Sequence, residues 1–412
     1  MFRTLALAAL MAAASSSVLA QEAGFRFEDV TESHLPESAG VNTMDVVSVD
    51  LDGDGDLDLV TAQEWLTNTV FLNDGAGRFT EVSDRLEPLA DDELALGPPQ
   101  LNQPGRGHDS EDVAVADFDG DGRLDLLIVS EDDIRFERSE VHEFYRGTVD
   151  GFQRVRGVIP DAEANAVAET EINGDGRIDL LLIGAGQDRL LINDGRGGFT
   201  DETDARLPRE AATGQDGEFA DMDGDGDLDI VLGLEGGHAL WLNDGSGRFT
   251  DASSDRLPAS GLVEARKVAP VDVDGDGDLD LWFSHVSWMG REGQDRLFIN
   301  DGSGRFTDET AARMPVENGI TVDARFADLD GDGDLDVVRG DRPHVTVWLN
   351  DGTGRFTDVT EAAFGGFVGE HVLAVELADF NGDGITDLYL GQLRTFQGEA
   401  SIRDRLYLGR RP

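Results

Sequence analysis

The chain has 412 residues, a formal net charge of −52 and no cysteine. So acidic a surface repels nucleic acid and anionic lipid and attracts multivalent cations. The lack of cysteine excludes both a disulfide framework and a thiol nucleophile. Lys267 is the only lysine, so the charge also fits a salt-adapted, arginine-bearing surface, and the placement of the acids separates the two readings.

In chain order, Met1-Phe2-Arg3, an apolar run from Leu5 to Ala14, and Val18-Leu19-Ala20 before Gln21 read as a signal peptide over residues 1–20. The run is too short to span a membrane. Residues 21–412 are then expected to form one exported domain, secreted or periplasmic, with no membrane insertion.

Gly24 to Thr31 reads as a lone strand. After it, the chain repeats at intervals of roughly fifty residues, a spacing typical of repeat architectures. The first unit sets the pattern: a β-type run at Asp45–Val49, an acidic loop, a second run at Leu57–Thr61, a third at Thr69–Leu72, and a fourth at Phe79–Val82. Asn73-Asp74-Gly75-Ala76-Gly77 joins the last two as a tight hairpin, since these residues tolerate positive φ. Four short strands per unit, seven times over, predict an all-β, seven-bladed propeller.

The acidic loop is D-x-D-G-D-G-x-x-D. Its odd positions in the first copy are Asp50, Asp52, Asp54, Asp56 and Asp58; in the second, Asp117, Asp119, Asp121, Arg123 and Asp125. The third departs most, with Glu171, Asn173, Asp175, Arg177 and Asp179. The fourth has Asp221, Asp223, Asp225, Asp227 and Asp229, and the fifth Asp272, Asp274, Asp276, Asp278 and Asp280. The sixth has Asp328, Asp330, Asp332, Asp334 and Asp336, and the seventh Asp379, Asn381, Asp383, Ile385 and Asp387.

Carboxylates at positions one, three and five converge if the chain curls, and the glycines between them permit the curl. Position seven offers its backbone oxygen, which leaves its side chain free to vary. The aspartate at position nine is expected to close the shell with both oxygens. That donor set suits Ca²⁺, a hard cation taking six to eight oxygens, so up to seven Ca²⁺ per chain are expected, the third site weakest. Glycine-rich turns that merely happen to be acidic do not require aspartate at fixed offsets seven times.

The last unit ends at Arg405–Leu408, which matches a third strand, and no fourth follows. The Gly24–Thr31 segment parallels the fourth strand Gly354–Thr360, so the N-terminal strand is expected to complete the last blade and close the ring. The acidic loop followed by L-N-D-G-x-G-x-F-T-D-x-T resembles the FG-GAP/VCBS repeats of integrin α-chain propellers and of many bacterial exported proteins. The resemblance spans residues 21–412 and implies calcium in the loops, with Glu171 the one departure at position one. It implies no single activity, since relatives include adhesion receptors and polysaccharide lyases.

Length variation falls on the face opposite the acidic loops, in the segments Glu87–Asp112, Ser130–Glu140, His285–Gln294 with Trp288, and Gln392–Arg403 with Phe396. Ligand binding is expected there. Five residues before each loop stand Asp45, Asp112, Ala166, Asp216, Lys267, Asp323 and Ala374, a ring near the central channel. These side chains either bind a cation or a sugar or, the favoured reading, each aspartate caps its own link by bonding to backbone amides. Trp65, His238, His344, His371, Arg266 and Arg342 fall near the same face, whereas Trp241, Trp282 and Trp348 read as core.

Arg339-Gly340-Asp341 spells an integrin-recognition tripeptide that chance explains in this composition. No H-E-x-x-H or G-x-S-x-G occurs, and Tyr145, Tyr389 and Tyr407 lie in strands. The expected function is therefore a monomeric, non-catalytic binding or adhesion module for a glycan or protein. The alternative is a calcium-dependent polysaccharide lyase using His108, His285 or His371 with Arg266 and Lys267.

Overall fold

The computed structural model describes residues 24–40, 42–90, 107–131, 140–209, 212–259, 261, 264–286, 293–316, 319–342, 344–366, 371–393 and 403–411. The proposed signal peptide, Trp288, Phe396 and most of the long Glu87–Asp112 link lie outside these. Seven four-stranded antiparallel sheets form the molecule, and their first strands touch one another in a closed ring. It is a seven-bladed β-propeller, as the repeat predicts.

Blade 1 contains strands Thr43–Val49, Asp58–Gln63, Thr69–Asn73 and Phe79–Glu81, in that order from the axis outward. The second strand of every blade is buried at each residue, from Asp58–Gln63 to Asp387–Gln392. A blade packs both faces against neighbours, so these strands read as apolar runs rather than as alternation. The hydrophobic core is accordingly divided. Seven clusters occupy the seams between adjacent blades, one per seam among the described residues. The seam of blades 5 and 6, for instance, packs Trp282 edge-on against Trp348 and Phe356.

Arg26–Asp29 pairs antiparallel with Arg405–Arg410, with Phe27 opposite Gly409. The N-terminal strand therefore completes the seventh blade, as expected, and Phe25 and Phe27 bury into the seam of blades 6 and 7. No helix among the described residues is long and apolar enough to cross a membrane.

Every first strand carries a register shift of one residue near its entry, immediately before Asp45, Asp112, Ala166, Asp216, Lys267, Asp323 and Ala374. Such β-bulges re-aim the neighbouring side chains. The propeller thus turns the same residue of each blade toward its axis.

Candidate metal centres

Each acidic loop links the first and second strands of a blade. In blade 1, Gly53 and Gly55 take φ values of 82° and 96°, which a Cβ would resist. Their amides donate to Asp50 Oδ1 and Oδ2 at 2.8 and 3.0 Å, so position one curls the loop around itself. Carboxylate oxygens of Asp50, Asp52 and Asp58 lie within 4.8 Å of one another, as do those of Asp117, Asp119 and Asp125. Asp221, Asp223 and Asp225 converge in the same way, as do Asp272, Asp274 and Asp276.

Position nine is a latch as well as a candidate ligand. Asp58 Oδ2 accepts the Leu51 amide at 2.9 Å and Oδ1 the Asn73 amide at 2.8 Å. The same pair of bonds recurs at Asp229, Asp280 and Asp336. Each oxygen keeps a second lone pair for a cation. Burial pushes this carboxyl up, to about 6 in Asp58, Asp125 and Asp179, and to about 7 in Asp229, Asp280, Asp336 and Asp387; neighbouring loop carboxylates add to it. Buried like charges resist ionisation unless a cation joins them.

The loops differ in ways that the motif alone does not display. The Arg123 and Arg177 guanidinium groups at position seven pair with Asp121 and Asp175 at position five. Asn173 and Asn381 at position three donate Nδ2 hydrogen bonds to Asp179 and Asp387. Loops 2, 3 and 7 therefore carry an internal donor where a metal would sit.

The hairpin asparagines hold neighbouring loops together. Asn300 Nδ2 donates to Leu279 O in its own loop and to Met222 O in the loop of blade 4, at 3.0 and 2.9 Å. Its Oδ1 accepts the amides of Gly302 and Gly304. Asn73, Asn193 and Asn350 make the equivalent inter-blade bond. The sequence reading took N-D-G only as a turn. A signal for its second role was present: the Asn recurs in blades 1, 3, 4, 5 and 6, where a turn alone needs only glycine.

At the axis, six of the seven residues five before each loop line a channel, all but Ala374. A cavity of about 280 Å³ is walled by Asp45, Asp112, Glu169, Asp216, Glu218, Lys267 and Arg325, among others. Three of the aspartates do accept backbone amides, but in the next blade rather than in their own links as expected. Asp112 Oδ2, Asp216 Oδ2 and Asp323 Oδ2 accept the amides of Val167, Val268 and Val375. Lys267 reaches Asp216 at 3.1 Å and Glu218 at 3.5 Å. Arg325 reaches Asp45, Asp323 and Glu376 at 3.4–3.8 Å.

Glu218, Arg325 and Glu376 were missed in the sequence. They stand two residues after the ring position, on the same side of a strand of period two, which is the signal that finds them. At the mouth of the channel, bulge residues Val322, Leu373 and Met44 form an apolar arc, and Glu111, Asn165, Gln215 and Arg266 a polar one.

Other expected site residues are dispersed. His285 is buried, with Nε2 2.8 Å from Nε2 of His238 and Nδ1 2.9 Å from the Gln294 carbonyl. His238 stacks on Phe283 at 3.8 Å. Neither imidazole lines the channel described above. Trp65 is half-buried with φ 60° and donates its amide to His108 O. Arg339 is fully buried, pairs with Asp295 and Asp341, and stacks 4.0 Å over Trp348, so the Arg339–Asp341 tripeptide is interior. Tyr389 donates to the buried Asp404 at 2.8 Å.

A family model described as FG-GAP-like repeat matches residues 50–128, 172–232, 221–283, 286–339 and 328–390, more than half of the chain. A search of curated proteins finds no match. Among solved structures, the chain is similar to BBS1N in complex with ARL6DN (TM-score 0.53, 11% identity, 94% of this chain and 97% of that one). It is also similar to the extracellular domain of a candidate one component system, BT4673, of B. thetaiotaomicron (TM-score 0.51, 14% identity), covering 92% of this chain but only 39% of that one. A third likeness, with TM-score 0.48 and 19% identity over 79% of this chain and 82% of the other, is to an Agrocybe aegerita lectin that recognises non-reducing terminal N-acetylglucosamine. Identities this low show the fold alone.

Proposed function

We propose that this chain, which belongs to the FG-GAP-like repeat family, is an exported, calcium-stapled propeller that binds a glycan or protein ligand without catalysis. The observation that carries the reading is the convergence of three loop carboxylates within 4.8 Å at equivalent places in several blades. With burial raising the latch aspartates, such a cluster favours a bound divalent cation over solvent. The calcium substitutes for the disulfides that this cysteine-free chain lacks.

The ligand surface in this reading is the face opposite the loops, where the inter-blade links vary in length. BBS1N presents a related propeller to a protein partner, which is compatible with the protein branch. The lyase alternative loses support, because His285 is sealed against His238 and Gln294.

The test is the melting temperature of the protein against Ca²⁺, with Mg²⁺ as control and EGTA as the zero point. A calcium-specific rise, with several ions bound per chain by titration, supports the staple. Glycan and protein arrays run in calcium then separate the two ligand classes. A flat response to calcium would overturn the reading and return the charge to salt adaptation.

A further inference from the structure

Five of the seven blades bury an asparagine at the end of the third strand: Asn73, Asn193, Asn243, Asn300 and Asn350. In four of them the side-chain amide reaches two acidic loops at once. Asn300 Nδ2 donates to Leu279 O, at the eighth residue of loop 5, and to Met222 O, at the second residue of loop 4, at 3.0 and 2.9 Å. Asn350 joins Leu335 O of loop 6 to Val273 O of loop 5 at 3.3 and 2.7 Å. Asn193 joins loops 3 and 2 through Ile178 O and Phe118 O, and Asn73 joins loops 1 and 7 through Leu57 O and Phe380 O.

The other three seams lack this bridge among the described residues. In blades 2 and 7 the same place holds Gly147 and Gly409, whose amides still donate to the latch aspartates Asp125 and Asp387. A Cβ on either glycine would collide with the eighth carbonyl of its own loop, Leu124 O or Thr386 O. Asn243 donates to Leu228 O of loop 4 but makes no bond to loop 3. The bridges therefore sort the seven loops into three groups: 4–5–6, 7–1 and 2–3. Both bridged peptides adjoin candidate ligands. The second residue follows position one, and its amide is held by the latch, as Met222 N is by Asp229 Oδ2 at 3.0 Å. The eighth residue precedes the latch, so Leu279 O belongs to the peptide link that leads into Asp280.

We infer that these asparagines are positioning residues that make calcium binding cooperative within each group and independent between groups, an inference that rests on the calcium reading above. When loop 5 orders around its cation, the Leu279–Asp280 peptide is fixed, and the Asn300 amide with it. Loop 4 then closes on a partner already in place and loses less conformational freedom, which is how ordering at one site favours binding at another. Coupling between sites commonly amounts to roughly 5–150-fold in affinity. One shared amide group puts the coupling here at the lower end, about fivefold. Loops 4, 5 and 6 keep aspartate at all five odd positions, so the effect is best read in that group.

The experiment is hydrogen–deuterium exchange on the intact chain during a Ca²⁺ titration, with a protection midpoint read for each loop. Asp276→Asn weakens loop 5 at position five. It is also expected to raise the midpoints of loops 4 and 6 by up to about fivefold and to leave loop 1 unchanged. Adding Asn300→Gly, which copies what blades 2 and 7 carry at this place, should release loop 4 from that effect while loop 6 still responds. Adding Asn350→Gly instead should release loop 6 and not loop 4. A general loss of stability does not separate two loops of one molecule in this way. Calcium protection in which loop 4 ignores Asp276→Asn would overturn the inference and leave the staple reading standing, as would a loop 4 that still responds after Asn300→Gly. No calcium protection in any loop would sink the staple reading itself, and this inference with it.

Discussion

At the scale of single residues, the pair formed by buried His285 and half-buried His238 sets a pH response separate from the acidic loops. Burial lowers His285 to about 4 and holds His238 well below the usual imidazole range, with the adjacent ring adding to the effect. Both groups are therefore neutral in the fold and protonate more readily in the unfolded chain. Their contribution is present above the unfolded value of about 6.5 and is lost as pH falls from there toward 4. The size for His285 is roughly 3 kcal/mol at the acid end. In saturating calcium, the melting temperature of the wild type is expected to fall more steeply between pH 6.5 and 4 than that of His238→Phe. Parallel pH curves for the two proteins would exclude this role. Nothing in the sequence announced the pair, because His238 and His285 belong to different blades and each looks like a loop-face residue in its own.

Asn300 makes a second residue-scale case. Its side chain satisfies two carbonyls and two amides, and one of those carbonyls, Met222 O, is in the neighbouring blade. Asn300→Ala is expected to destabilise by about 3 kcal/mol with or without calcium, because several buried groups lose partners. Asp272→Asn should behave differently, removing mainly the calcium-dependent part of the stability. Denaturant melts of both variants in Ca²⁺ and in EGTA check the contrast.

At the scale of the loop, unequal internal compensation predicts unequal affinity. Asn381 bonds Asp387, and Arg177 pairs with Asp175, so loops 7 and 3 partly satisfy their own carboxylates. Asn381→Asp removes the amide donor and adds a charge. The variant is expected to bind calcium in loop 7 at least about tenfold more tightly, since ligand charge count tunes such sites. Calcium titration followed by melting temperature should show the gain, together with a lower melting temperature in EGTA. An unchanged titration curve would mean that position three is not a ligand.

The loop is also where the sequence was most legible. Offsets one, three, five and nine lie within nine consecutive residues, so their convergence needs only local curling. What stayed hidden was every contact reaching into a neighbouring blade, such as Asn193 to Phe118, 75 residues apart, or Asp216 to Val268, 52 apart. The axial ring was half visible: one position per blade was found, but the bulge that aims it and the second residue behind it were not.

At the scale of the whole molecule, stability is distributed over seven seams rather than one core, and the ring has a single point of chain closure. That point is the pairing of Arg26–Asp29 with Arg405–Arg410, reinforced by Thr31, whose Oγ1 exchanges hydrogen bonds with the Leu406 backbone. Phe25 and Phe27 carry closure into the seam of blades 6 and 7, where Phe27 stacks on Phe364 at 5.2 Å. Phe27→Ala should therefore cost about 3–5 kcal/mol, the range for emptying a buried aromatic site. Its effect should differ in kind from an equal loss elsewhere, such as Phe298→Ala in the seam of blades 4 and 5. Weakening the closure frees the third strand of the last blade as an open edge, which promotes self-association. Phe298→Ala leaves the third strand of its blade paired with Phe306–Asp308. Light scattering during thermal melts of the two variants distinguishes them: early aggregation is expected for Phe27→Ala alone, and equal aggregation would show that closure by the N-terminal strand does not control how the ring opens.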